Sequence, residues 1–237
     1  MANGGAPLIL YVIRHGQSTN NAGPRPERVD DPPLTDVGQQ QVLAVAEWVK
    51  DEGLTHLFTS PFLRTFETTE PIRKATGLRP EIWVDLHEQG GCVSGEDLST
   101  FQGEPGLTRS QIEDSYPDYQ VPESIDSDGW WKSKPAEPMD DARLRVEKFS
   151  HEMRCLFGAT DHRIACVTHG GSGVMLVSAF LGPEMQRMAR VEWHGIPPES
   201  WLGGMVNTAV TKMEIKPDST QLVFYNSAAH LPRSLVT

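Results

Sequence analysis

The sequence is short of positive charge, of cysteine and of long apolar runs, and each shortage excludes something. Lys and Arg number 21 against 32 Asp and Glu, a formal charge of -11. A surface of that sign disfavours attraction to nucleic acid or to an anionic membrane, so neither is expected as a partner. A local cationic pocket stays open, because a site feels its own field rather than the total. The three cysteines, Cys92, Cys155 and Cys166, are odd in number and fall in no CxxC pattern. That speaks against a disulfide framework or a Cys-rich zinc site and makes a reducing cytoplasm the default. His56, His151, His162 and His194 show no metal-ligand spacing with acids or cysteines, so no metal is expected. The apolar stretch Leu8 to Ile13 follows no basic segment and does not read as a signal peptide. Gly173 to Gly182 is too short, and too broken by Gly and Ser, to span a bilayer.

What remains is enough for a folded enzyme. The chain has 237 residues, 38% hydrophobic, with six Trp, which fits one sizeable core and a single domain over residues 1–237. Leu8 to Ile13 reads as a buried strand that stops at Arg14-His15-Gly16, before a polar loop from Gln17 to Pro33. Thr35 is placed to cap a helix with a core face of Val42, Val45, Ala46 and Val49, ended by Gly53. Leu54 to Thr59 predicts a second strand. Ser60-Pro61 predicts the cap and first position of a helix that Gly77 stops. Glu81 to Val84 predicts a third strand, and this alternation is the pattern of an α/β fold with a largely parallel sheet.

From Asp85 to Pro138 the pattern weakens into Gly, Pro, Ser and Asp, with only Thr108…Gln111 spaced like a capping box. An insertion of this kind is a substrate-facing cap or a plain surface excursion. A helix over Met139 to Phe157 follows. Then come a strand Arg163 to Thr168, a helix through Phe180, and late strands near Met205 to Ile215 and Gln221 to Asn226. Those late strands could form a sheet-edge homodimer, though nothing in their sequence demands it.

Ligands of open α/β sheets collect at the carboxyl ends of the strands. His15 and His169 each stand directly after a strand and before a glycine that lets backbone approach a ligand. Arg14 abuts His15, and Arg64 lies at the start of the helix after the second strand. Guanidinium groups match phosphate oxygens in a bidentate way, so this set reads as a phosphate cradle. Glu88, just after the third strand, is placed to act as the acid that protonates a leaving oxygen.

These residues also stand in an order that resembles the histidine phosphatase superfamily, the phosphoglycerate-mutase-like proteins. Arg14-His15-Gly16-Gln17-Ser18-Thr19-Asn20-Asn21 is similar to the RHG signature with its phosphate-binding Asn. Leu34-Thr35 with Gly38 and Gln41 is similar to LTxxGxxQ, and Ser60 to Thr65 with Thr68 to SxLxRxxxT. His87-Glu88, Thr168-His169-Gly170-Gly171 and Asn207-Thr208 complete the set, which runs from about residue 8 to residue 227. The resemblance implies a three-layer α/β/α sandwich with a mostly parallel mixed sheet and a cap over residues 85–138 after the third strand. It implies that His15 attacks phosphorus, and that Arg14, Arg64 and His169 stabilise the equatorial oxygens with Asn21 assisting. Glu88 is then the acid and later the base. It also implies substrate contacts from Gln17, Gly170 and Asn207, with no cofactor and a small phosphomonoester as partner. Gln17 departs from the Glu common at its place. Arg109, Trp130, Trp131 and His230 are further candidates for reading the substrate, although packing or solvation is the plainer role for each.

The resemblance leaves phosphatase and mutase open. Family mutases carry a basic, Tyr-containing segment after the acid, whereas here the chain reads Glu88-Gln89-Gly90-Gly91-Cys92. The insertion then continues with Glu96, Asp97, Glu104, Glu113 and Asp114. That composition disfavours a substrate carboxylate and favours hydrolysis, with phosphoglycerate mutase as the alternative and an inactive phosphate-binding scaffold as a third reading.

Overall fold

A computed structural model describes residues 6–24, 28–96, 99–182 and 204–237; His194 and Asp97 lie outside the described residues. A six-stranded sheet, in the order β3-β2-β6-β1-β7-β8, forms the middle layer. Its centre is β1 (Leu8–Arg14), which pairs in parallel with β6 (Arg163–Thr168) and antiparallel with β7 (Val210–Ile215). Beyond β6 lie β2 (His56–Thr59) and β3 (Glu81–Ile82), both parallel to it, and β8 (Thr220–Ser227) closes the other edge antiparallel to β7. The sheet is therefore parallel where the histidines lie and antiparallel at one margin.

Alternation along β1 explains the layers. Leu8, Leu10 and Val12 pack with Phe149 and Met153 of α5 (Met139–Phe157) and with Val174, Val177 and Phe180 of α6 (Gly170–Leu181). Ile9, Tyr11 and Ile13 point the other way, against Val45 and Val49 of α2 (Asp36–Val49) and Ile72 of α3 (Leu63–Thr76). A strand buried on both faces has to read as a continuous apolar run, as this one does. Among the described residues no helix is long and apolar enough to cross a membrane.

Several boundaries differ from expectation, each for a local reason. The polar loop after β1 holds a short helix, α1 (Thr19–Ala22). Helix α2 has its Thr35 cap, whose hydroxyl accepts from Gly38 N–H at 3.0 Å, but it ends at Val49 rather than at Gly53. Gly53 instead takes φ +67° in the turn that leads to β2. Ser60 and Pro61 do not start α3: just past the end of β2, Ser60 N–H still donates to Val167 C=O of β6 at 3.0 Å. The helix begins at Leu63, whose N–H is taken by the carboxylate of Asp31 at 2.9 and 3.1 Å. The third strand is cut short because Val84–Leu86 winds into a 3-10 turn that carries the chain toward Glu88. The strand expected from Met205 starts only at Val210, after Thr208 turns at φ +56°.

The insertion after β3 is a cap with its own core. It holds a small hairpin, β4 (Val93–Ser94) with β5 (Gln102–Gly103), and α4 (Arg109–Ser115) with the expected Thr108…Gln111 capping box. Trp130, Trp131, Ile112, Tyr119 and Ile125 pack on Phe62 and Phe66. Both tryptophans press on glycine: a Cβ on Gly106 would stand 2.3 Å from Trp130, and one on Gly91 2.3 Å from Trp131. The two ends of the cap are tied by one buried ion pair. Arg145 of α5 forks onto Glu137 at 2.8 and 2.7 Å and donates to the carbonyl of Asp85 at 2.6 Å. The pair holds the Glu137 carboxyl at about 2 in spite of its burial.

Candidate active site

The carboxyl ends of β1 and β6 bring His15 and His169 together, with ring centroids 5.2 Å apart in an edge-to-face arrangement. Neither could be held so by its own rotamer alone. His15 N–H donates to Thr168 C=O at 2.9 Å, and its own carbonyl accepts from Asn207 Nδ2 at 3.1 Å and from Thr208 N–H at 3.2 Å. The glycine after it is required: a Cβ on Gly16 would meet Val42 at 2.8 Å and the Gly38 carbonyl at 3.0 Å. Gly38 in turn lies so close beneath the loop that a Cβ there would stand 2.2 Å from the Gln17 carbonyl. The two sequence segments that looked like separate motifs are thus one packed contact.

The His15 ring is set as a nucleophile needs. Its Nδ1 lies 2.6 Å from Gly16 C=O, an acceptor only, so Nδ1 carries the proton and Nε2 is left with its lone pair. Burial and the nearby Arg64 and Arg14 guanidinium groups push its proton affinity well below the ordinary histidine value. The ring stays neutral in the range where a free imidazole would be charged.

Cationic groups surround it. Arg14 donates Nη1 to Met205 C=O, while its Nε is buried and has no protein partner. Arg64 lies over the Phe62 ring, 4.0 Å from its centroid, and 3.7 Å from Asp31. Burial lowers the proton affinity of both arginines, which leaves them charged all the same. His169 is fully buried; its Nε2 meets Ser60 Oγ at 2.7 Å and its Nδ1 has no partner among the described residues. Unpaired buried polar atoms are costly, and Arg14 Nε and His169 Nδ1 are two such atoms at this site, which suits an anion with several acceptor oxygens.

Glu88 reaches the same place from the cap side. Its carboxylate accepts from Gly171 N–H at 3.1 Å and Ser172 N–H at 2.8 Å, at the start of α6. Thr168 Oγ1 donates to Leu86 C=O and Ser172 Oγ to His87 C=O, so the chain on both sides of Glu88 is stitched to β6 and α6. Asn21 lines the cavity, and its side-chain oxygen accepts from Ser18 N–H, Ser18 Oγ and Asn207 Nδ2. Its neighbour Asn20 exchanges two bonds with the Val29 backbone instead.

Arg14, His15, Arg64, Glu88, Gly170 and Asn21 all line one cavity of about 540 Å³. His169 stands directly behind them. Asn207 also lies behind, buried against His15 and Asn21. Gln17 is not among the lining residues: its side-chain oxygen accepts from Thr35 Oγ1 at 2.8 Å, a contact that serves the start of α2. Arg109 spends its guanidinium on Glu113 and on the carbonyls of Val121, Pro122 and Ile125. Trp130 and Trp131 are core residues of the cap, and His230 packs near Trp48 and Thr208. None of these four lines the cavity.

Three side chains around the site make contacts that their sequence positions do not announce. Asp31 caps α3 and faces Arg64 from a segment far away in sequence, and burial raises its carboxyl to about 7. Ser60 was read as a helix cap. His87 is buried beside Glu137, with its Nδ1 on Val84 C=O. No local pattern announces such contacts, although an acid ahead of Pro32-Pro33 is a candidate cap for any nearby helix start. Among the described residues no group of three or more His, Cys, Asp and Glu side chains could hold a metal ion.

Residues 10–228 match the model of the histidine phosphatase superfamily (branch 1). The chain belongs to that superfamily. Phosphoryl chemistry through a phosphohistidine is thereby supported at the level of the superfamily. A "Probable phosphoglycerate mutase GpmB" of Photorhabdus laumondii is 31% identical over 179 residues, 74% of this chain and 75% of that protein. Among solved structures, a mycobacterial glucosyl-3-phosphoglycerate phosphatase with VO3 superposes with a TM-score of 0.60 at 21% identity, covering 93% of this chain and 100% of that one. An alpha-ribazole phosphatase from Shigella flexneri gives 0.60 at 18% identity, covering 93% and 96%. At those identities the structures speak for the shared fold, an α/β/α sandwich with a cap after the third strand.

Proposed function

We propose that this protein is a metal-independent phosphomonoester hydrolase that works through a phosphohistidine on His15. The observation that carries the reading is the Nδ1 bond of His15 to Gly16 C=O, which leaves Nε2 bare among two arginines and a second histidine. Nε2 attacks phosphorus as the ester P–O bond breaks, and Glu88 gives its proton to the departing alkoxide. Arg14, Arg64 and His169 take the charge on the equatorial oxygens, with Asn21 and the Gly170 backbone alongside. Glu88, now a carboxylate, removes a proton from water; the hydroxide attacks phosphorus, the N–P bond breaks and inorganic phosphate leaves. Asn207 acts from behind by holding the His15 carbonyl.

Hydrolysis is favoured over isomerisation by what lines the rest of the cavity. Asp30 and Glu96 also line it, and Arg28 is the one described cation among the lining residues beyond the cradle. Carboxylates there disfavour a substrate carboxylate. The mutase reading keeps one specific support, the name carried by relatives about 30% identical. An assay with 3-phosphoglycerate separates the two: conversion to the 2-isomer without free phosphate would sink the hydrolase reading. Hydrolysis of p-nitrophenyl phosphate that vanishes in His15→Ala sets aside an inactive scaffold.

A further inference from the structure

Ser60 is the residue whose placement the phosphoryl chemistry above does not explain. It is fully buried, and its backbone is held on both sides. Its N–H donates to Val167 C=O, and its carbonyl accepts from Thr65 Oγ1 at 2.7 Å and Thr59 Oγ1 at 3.2 Å. With the main chain so pinned, the hydroxyl has one hydrogen-bond partner among the described residues, His169 Nε2 at 2.7 Å. Helix α3 takes its cap from Asp31, so the hydroxyl is not spent there. The opposite ring nitrogen, Nδ1, is buried without a partner.

The kind of partner matters. A carboxylate on Nε2 could only accept and would favour the imidazolium; a backbone N–H could only donate and would forbid it. A serine hydroxyl has one donor and two acceptor sites, so it can serve either state of the ring. If Ser60 donates to Nε2, Nδ1 carries the hydrogen and is a donor to phosphate. If Nε2–H donates to Ser60, the bare Nδ1 can take the proton that a monoanionic phosphate ester brings on its oxygen. The product in that case is an imidazolium facing a dianion. In both cases Nδ1–H ends on a phosphoryl oxygen and Nε2 stays on Ser60.

We propose that Ser60 is a positioning residue for phosphoryl transfer, aiming Nδ1 of His169 at the phosphoryl group through a hydroxyl that tolerates both protonation states. The proposal rests on the phosphohistidine reading. The groups facing His169 are Arg64 from α3, Arg14 and His15 from the end of β1, and His87 from the turn after β3; with burial first, they depress its proton affinity. A bound phosphate supplies the opposite charge.

The test uses the full chain and p-nitrophenyl phosphate, with inorganic phosphate as the ligand probe. Loss of one hydrogen bond to a charged group predicts that Ser60→Ala lowers kcat/KM roughly 10- to 100-fold and weakens phosphate inhibition by a similar factor. It should also shift the acid limb of the pH profile, and Ser60→Thr should recover part of the loss. In the wild type, histidine ¹⁵N resonances should show a change at the nitrogens of His169 when phosphate is added. A folded Ser60→Ala enzyme with wild-type kcat/KM, phosphate inhibition and pH profile overturns the proposal. So does a uniform loss at every pH with unchanged inhibition, which is what a packing defect would give. If Ser60→Ala fails to fold, unmoved ¹⁵N signals of wild-type His169 on phosphate addition overturn it equally. Acid-labile phosphate trapped on wild-type His15 keeps the phosphohistidine reading standing in any of these cases, and its absence removes that reading first.

Discussion

The cradle at the strand ends and the cap above it are built on opposite principles. In the cradle, each side chain is held at one end, Arg14 by Met205 C=O, His15 by Gly16 C=O and His169 by Ser60 Oγ, while Arg14 Nε and His169 Nδ1 are buried without a partner among the described residues. In the cap, aromatic packing fills the interior and a single buried pair, Glu137 with Arg145, fastens both ends to α5. A ligand supplies what the cradle lacks, whereas the cap is held by its own packing and by that pair, with Trp130 Nε1 buried there without a partner among the described residues. Damage to the first should therefore cost rate and spare stability, and damage to the second should do the reverse.

The largest effect tests the first half. His15→Ala removes the nucleophile, and kcat/KM for p-nitrophenyl phosphate should fall roughly 10⁴-fold or more. Its side chain bonds only the adjacent Gly16 carbonyl, so Tm should stay near wild type. A collapse of Tm alongside activity would show that the cradle is part of the folding core, and the contrast would fail.

Glu137→Gln tests the second half. Removing one member of a buried pair leaves the other charge without compensation, at a cost of about 3 kcal/mol in denaturant unfolding. The Glu137 carboxyl is held at about 2, below an unfolded value of about 4.3. A depressed carboxyl contributes stability above its unfolded value and loses it as pH falls toward the folded one. The wild type should weaken between about pH 4.3 and 2, and the variant should be flatter across that window. Equal acid sensitivity of the two proteins would place the fastening of the cap elsewhere.

Asp31 sits between the two regions and sharpens the comparison. Its neighbours are Arg64 and Glu67 on α3, Asp30 beside it and Cys92 ahead of β4, and burial raises its carboxyl to about 7. A raised carboxyl costs stability where it is ionised. The cost is absent at low pH, grows up to about 7 and stays above it. Asp31→Asn keeps an oxygen for Leu63 N–H but removes the counter-charge of Arg64. Inorganic phosphate should then inhibit up to about tenfold more tightly at pH 8, with less change at pH 5.5, where the wild-type carboxyl is already protonated. Looser binding at pH 8 would mean that Asp31 aims Arg64 more than it competes with the ligand.

How much of this was legible follows from the same contrast. Residues whose chemistry is exposed by position could be read: His15 and His169 each follow a strand and precede glycine, and Arg64 opens a helix at the same sheet edge. Thr108…Gln111 could be read because a capping box is local. Ser60 looked like a helix cap for a sound reason, since Ser-Pro is a good start signal. Tertiary pairing overrode it: just past the strand end the Ser60 N–H is taken by Val167 C=O, and His169 claims the hydroxyl. Asp31 to Leu63 and Glu137 to Arg145 to Asp85 join segments that no window spans. The cap looked like loop because its order comes from Trp130 and Trp131 packing on Gly106 and Gly91, and not from periodicity.

The smallest expected effect concerns Gln17, a substrate-contact candidate that is not among the residues lining the cavity. Its side-chain oxygen takes the Thr35 hydroxyl at 2.8 Å, and that same hydroxyl oxygen accepts from Gly38 N–H. In Gln17→Ala the hydroxyl can still donate to the Gln17 main-chain carbonyl, now 3.3 Å away. The helix cap survives, and the net loss of one part-buried hydrogen bond is about 0.5–1 kcal/mol of stability. Activity on p-nitrophenyl phosphate should then stay within about a factor of two, because no contact to the phosphate cradle is lost. A tenfold fall in kcat/KM with Tm unchanged would return Gln17 to the substrate. It would mean that the loop after His15 rearranges when phosphate binds.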